Sequence, residues 1–146
     1  MDYQNIDNFV PYRVDISNMI HDQVSFGKYL DSVSTATDPI WDILLSSATI
    51  SVLMDFADTF QLQESQSAEL SRIIRDVVLG TMYIGNMPIA IRDRLNIDDG
   101  KASTLSDLIA RDLFKSATED IKKVQLAHFP EKFPRPVQGN VLNLKQ

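Results

Sequence analysis

The 146-residue sequence contains no cysteine. Disulfides, thiolate metal ligands and a cysteine nucleophile are thereby excluded, and a disulfide-built secreted scaffold with them. A reducing cytoplasm suits such a chain. Histidine is nearly as scarce: His21 and His128 are the only two, they lie far apart, and neither stands in a recognisable motif. A zinc site is not expected from that supply, and a serine-type hydrolase would have to take its base from these two residues. The glycines at 27, 80, 85, 100 and 139 are scattered, so neither a phosphate-cradling loop nor a dinucleotide fingerprint can be assembled. No apolar run approaches the roughly 18–20 residues that span a bilayer. The amino-terminal MDYQNIDNF has neither the basic nor the apolar region of a secretory signal. The expectation is therefore no catalytic set, no cofactor, no metal and no membrane span.

What is present is ordinary globular material, 44% hydrophobic and 23% charged, in a length that suits one domain with a single core. The net charge of −6 is unevenly spread, −7 over residues 1–60, −2 over 61–114 and +3 over 115–146. An acidic body repels phosphate backbones, which disfavours nucleic acid as its partner, while the basic end could still touch one.

Apolar positions recur at helical intervals along most of the chain. Ile16, Met19, Ile20, Phe26, Leu30 and Val33 predict a helix over about 15–33, with Asp15 as its N-cap. Asp38-Pro39 reads as a cap and first-turn proline opening a short helix to Leu45. Ser46-Ser47 offers the next cap, followed by a stripe of Ile50, Leu53, Met54, Ala57 and Phe60. Leu70, Ile73, Ile74, Val77 and Val78 form the strongest apolar face and end at Gly80, which suits a left-handed C-cap. Asn86 and Pro88 predict a short helix with Ile91 and Leu95 inward. Asp98 then caps the longest element, which Ala102, Leu105, Leu108, Ile109, Leu113, Ala117, Ile121 and Val124 carry without a break to about 126.

No segment alternates with period two. The fold class is accordingly all-α, a compact orthogonal bundle of five or six unequal helices with irregular amino- and carboxyl-terminal tails. Residues 1–127 read as a single helical domain, irregular over 1–14, and 128–146 as an extended tail containing Phe and Pro.

His21 falls within the first helix, and His128 follows the last one, where a cationic ring complements the helix dipole. Asp55 and Asp58 are three apart on one helix, a spacing that usually means two solvated carboxylates. Asn96-Ile97-Asp98-Asp99-Gly100 lacks the alternating acids and closing glutamate of a calcium loop. Arg72, Arg75, Arg92 and Arg94 form a basic cluster that Asp76, Asp93, Asp98 and Asp99 balance, which favours a salt-bridged face over an anion site.

The most unusual feature is the repeated aromatic-proline pair, Phe129-Pro130 and Phe133-Pro134, followed by Arg135. Its spacing of four does not match the three-residue turn of polyproline geometry. Two readings stand side by side: the rings anchor in a partner's apolar groove, or they fold back onto this protein's own helices.

From about Ser47 to Ile121 the order of parts resembles a family of small, uncharacterised all-helical proteins of reduced-genome, candidate-phyla bacteria. The resemblance lies in Phe60-Gln61-Leu62, the helix ending Val77-Val78-Leu79-Gly80, the proline at 88, Arg94-Leu95-Asn96-Ile97, Lys101-Ala102 and Leu108-Ile109-Ala110-Arg111-Asp112-Leu113-Phe114. Members often carry a proline soon after the position of Phe114. Here Ser116 stands instead. The resemblance implies an all-helical fold and supplies no activity.

The functional reading from sequence is a non-catalytic protein–protein interaction module, an adaptor or accessory subunit, whose partner is another protein met through Phe129, Pro130, Phe133, Pro134 and Arg135. The alternatives are a nucleic-acid or ribosome-associated factor contacting phosphates through Lys122, Lys123, Lys132, Arg135 and Lys145, and an enzyme whose site is assembled from scattered carboxylates.

Overall fold

Asp22 ends the first predicted helix early. In the computed structural model, which describes residues 5–133 and only the backbone at Ser17 and Asn18, the segment expected as one helix over 15–33 is two, α1 (Ile16–Met19) and α2 (Gln23–Ser34). Asp22 lies in extended backbone, and its carboxylate accepts from the N–H groups of Val24 and Ser25 at 3.1 and 3.3 Å. Those amides have no partner inside the helix, so the cap starts a new helix where the periodicity alone suggested continuity. Asp15 makes no capping bond. His21 is in the turn between α1 and α2 and is exposed, not mid-helix.

The inward face of α2 also differs from expectation. Tyr29 and Val33 are buried, whereas Ile20 and Leu30 are 55% and 42% exposed. The Tyr29 hydroxyl donates to the carbonyl of Tyr12 and the two rings stack at 5.7 Å. Fixing Tyr29 inward turns its neighbour Leu30 about 100° toward solvent.

Helix α3 (Asp38–Leu45) starts one residue before the predicted point, with Thr37 as N-cap and Pro39 in the first turn. Ser46 caps α4 (Ser47–Thr59) through the Thr49 amide at 3.2 Å. Thr49, Leu53, Phe56 and Ala57 form the buried stripe of α4, and Met54, expected inside, is exposed. Among the described residues no single helix is long and apolar enough to cross a membrane. The pair α3 and α4 would suffice by length and composition, but it is bent by 46°, and Ile40, Ile43, Leu44, Leu53 and Phe56 lie in the core.

Helix α5 (Glu64–Leu79) is the central rod. Leu70, Ile73, Ile74, Val77 and Val78 are almost completely enclosed, because α4, α6, α8 and the amino-terminal turn all pack on it. It stops at Gly80, whose φ of +83° is left-handed, as the sequence predicts. Helix α6 (Met87–Leu95) turns Ile91 and Leu95 inward as expected. Asp98 caps α7 (Asp99–Ile109) by accepting from the Lys101 amide at 2.8 Å.

The longest predicted helix is not continuous. After α7 the chain winds as a π-helix over Ala110–Phe114 and a 3-10 turn over Lys115–Ala117, then resumes as α8 (Thr118–His128). The cause is in the spacing. Leu105, Ile109, Leu113, Ala117, Ile121 and Gln125 are all buried, one every four residues, whereas an α-helix advances about 40° past a full turn in four residues. A straight α-helix would carry the later members out of the core. The wider π turn and the break at Ala117 (φ −121°, ψ 20°) bring them back.

Short turns flank the bundle within the described residues. Residues Ile6–Phe9 form a 3-10 turn capped by the Asn5 side chain, and Phe9, Val10 and Pro11 are buried where that turn packs on α4 and α5. His128 belongs to the last turn of α8, and Pro130–Lys132 add a further 3-10 turn. The described chain contains no strand, and its helices are unequal in length.

Candidate interaction site

The carboxyl-terminal aromatics converge on the connection between α5 and α6. Tyr83, between α5 and α6, receives the rings of Phe129 and Phe133 edge-on at 5.9 and 5.7 Å, and the Lys132 ammonium lies 5.4 Å from its centroid. Each such ring pair contributes on the order of 0.5–1.5 kcal/mol beyond its buried area. Phe129 and Phe133 are half-buried and Pro130 is exposed. Pro134 and Arg135 lie outside the described residues.

Gln125 holds the Tyr83 loop in place. This amide is 1% exposed and fully used: Nε2 donates to the carbonyls of Val77 and Met82, each at 2.9 Å, and Oε1 accepts from the Ile84 amide at 2.8 Å. The chain leaving α5 and the start of the next turn are thereby tied to α8. Gln125 was missed because a glutamine in a helical stripe resembles a surface residue. Its place in the strict four-residue spacing was the available signal.

Beside this anchor lies an open cleft of about 400 Å³. Phe114 and Ile121 are its buried floor, Ile84 and Phe133 stand at its edges, and among the described residues Lys122 is its only charged lining residue. The π turn helps to shape it, since Ala110 and Phe114 both face the opening.

The arginine cluster is a salt-bridge network, as expected, with two partners, Asp15 and Glu69, that the sequence did not suggest. Asp15 takes Arg72 Nε at 2.8 Å and Arg75 Nη2 at 3.1 Å. Glu69 joins Arg72 to Arg94, the latter at 2.8 Å, and Asp76 pairs with Arg75 at 3.5 Å. Arg75 also lies 5.5 Å over the ring of Tyr29, whose hydroxyl pKa is raised first by burial. Farther out, Arg92 bridges Asp93 and Asp99, and its hydrogen bond holds the Asp93 carboxyl below the usual range. Asp98 is occupied as a cap. Asp55 and Asp58 are exposed on α4, and no group of three or more His, Asp or Glu side chains is placed to hold a metal ion among the described residues.

No family model, curated protein or solved structure matches this chain.

Proposed function

We propose that this protein is a non-catalytic interaction module, an adaptor or accessory subunit in the cytoplasm, that meets a partner protein at the Tyr83–Phe129–Phe133 platform and its adjoining cleft. The observation that carries the reading is Phe133. One of its sides is fixed against Tyr83 and it also borders the cleft, so a rigid aromatic is presented beside an unfilled apolar floor. Preset aromatic anchors at well-packed positions dominate binding energy in protein interfaces, because little conformational freedom is lost when they are covered. The arginines and acids support the reading from the other direction. They are engaged in ion pairs that join α1, α5 and α6, which is structural work. Kinship with the small helical family of candidate-phyla bacteria belongs to the same proposal and rests on the order of helices and caps.

The test is a photo-crosslinking phenylalanine analogue in place of Phe133, with Met54 on α4 replaced in a control. A discrete protein adduct from position 133 and none from position 54 is expected. Equal labelling at both positions, or none at 133, overturns the reading.

A further inference from the structure

Among the described residues, one charged side chain, Lys122, lines the cleft beside Phe133. On α8 the lining residues are Thr118, Ile121, Lys122 and Gln125. The acids Glu119 and Asp120 fall at other helical positions, outside the lining. Asp112, next to Phe114 in the sequence by two residues, lines a different cleft with Asp42 and is paired with Arg111 at 2.7 and 3.0 Å.

The polar atoms within the lining are already engaged. Gln125 makes three hydrogen bonds to backbone, and the Thr118 hydroxyl donates to the carbonyl of Lys115 at 2.9 Å. Lys122 differs. It is exposed and has no ion pair among the described residues. Lys132 is not part of that lining; its ammonium lies over the Tyr83 ring. An apolar floor with a lysine at its rim thus occurs in a chain whose net charge is −6.

We propose that this cleft receives an acidic amphipathic helix of a partner protein, with apolar side chains on Phe114, Ile121 and Phe133 and a carboxylate on Lys122. Apolar faces laid into grooves supply affinity, while charges at the rim set orientation and exclude wrong partners. The inference rests on the interaction-module reading and adds the chemistry of the partner.

The experiment titrates the isotope-labelled full chain with three capped helical peptides, followed by amide chemical shifts. One carries Leu and Phe along one face and Glu elsewhere, the second has Lys for each Glu, and the third has Ser for each Leu and Phe. The first is expected to shift the amides of Ile84, Phe114, Ile121 and Phe133, to bind about tenfold more tightly than the second, and to lose binding in the Ser version. Lys122→Glu, a surface change checked by an unaltered circular dichroism spectrum, should reverse the preference between the first two.

Equal affinity for the Glu and Lys peptides at the cleft overturns the acidic-partner inference and leaves the interaction-module reading standing. No peptide-induced shift at the cleft also overturns it. Concentration-dependent shifts of the same amides without peptide would instead show a second copy of the chain as the occupant. Failure of crosslinking at position 133 is the separate result that removes the underlying reading.

Discussion

The imidazole of His128 lies against the backbone of Gly80, so close that a β-carbon built at Gly80 would stand 2.5 Å from His128 Cδ2 and 2.8 Å from a methyl of Val124. The end of α5 and the end of α8 therefore meet with no space between them, and the glycine is needed twice. Its φ of +83° strains any side chain, and its missing side chain admits the ring.

Gly80→Ala should destabilise the fold by roughly 2–4 kcal/mol, from left-handed strain and overpacking together. Urea unfolding of Gly80→Ala, His128→Ala and the double variant would test both causes. The double variant should recover the overpacking part only, and strict additivity would show that the two residues do not press on each other.

Replacing Gln125 by Leu keeps the volume near that of the amide and removes all three of its hydrogen bonds. The Val77 and Met82 carbonyls and the Ile84 amide would be left without their partner, at about 1–3 kcal/mol for each group that stays buried. A loss of about 3 kcal/mol or more in chemical denaturation is expected, with faster hydrogen exchange at the Ile84 amide. Unchanged exchange there would contradict the clamp.

Asp15→Asn tests the junction of α1 with α5. The carboxylate is 18% exposed and shared by Arg72 and Arg75, so its loss leaves Arg72 with Glu69 alone and Arg75 with Asp76 alone in a partly screened setting. About 1–3 kcal/mol of stability should be lost. Arg75→Met in the same background should restore part of it, since the repulsion between the two guanidinium groups is then removed.

Tyr83→Ala should release Phe129 and Phe133, seen as rapid proteolytic cleavage after Lys132, while Tyr83→Phe should leave the cleavage rate at that of the parent. The ring, not the hydroxyl, carries both aromatic contacts.

The cap at Asp22 makes a pH-dependent contribution. Its carboxyl pKa is lowered from 3.8, first by the hydrogen bond from the Ser25 hydroxyl and then by the Ser25 backbone amide. A carboxyl lowered on folding contributes stability above its unfolded pKa and loses it as the pH falls through the folded value. Asp22→Ala should therefore lower the melting temperature at pH 7 and have a smaller effect near pH 2. An equal effect at both values would show that the charge is irrelevant.

Most helices were legible in the sequence because their information is local. Ser46, Gly80 and Asp98 act at positions where side-chain chemistry alone satisfies or ends a helix, and the apolar faces of α5 and α6 follow from a period of 3.6 residues. The errors at α1–α2 and α7–α8 also have local traces, the Asp22 cap and the strict spacing of four. Those traces competed with a continuous apolar pattern that looked stronger. In the site, Phe129 and Phe133 were visible as unusual residues. Their meeting point at Tyr83 was not, because it joins segments more than forty residues apart.

The sequence by itself therefore determined an all-α chain, its main caps, an acidic body and the aromatic composition of its end. Only the tertiary structure decided that Asp15 serves two arginines instead of a helix end, that Gln125 is a buried clamp, and that Phe133 borders an apolar cleft with a lysine at its rim. The physical reason is range. Capping and periodicity act within a few residues, whereas an ion pair, a buried amide and a cleft each need partners from different helices, and the packing around α5 selects which partners meet.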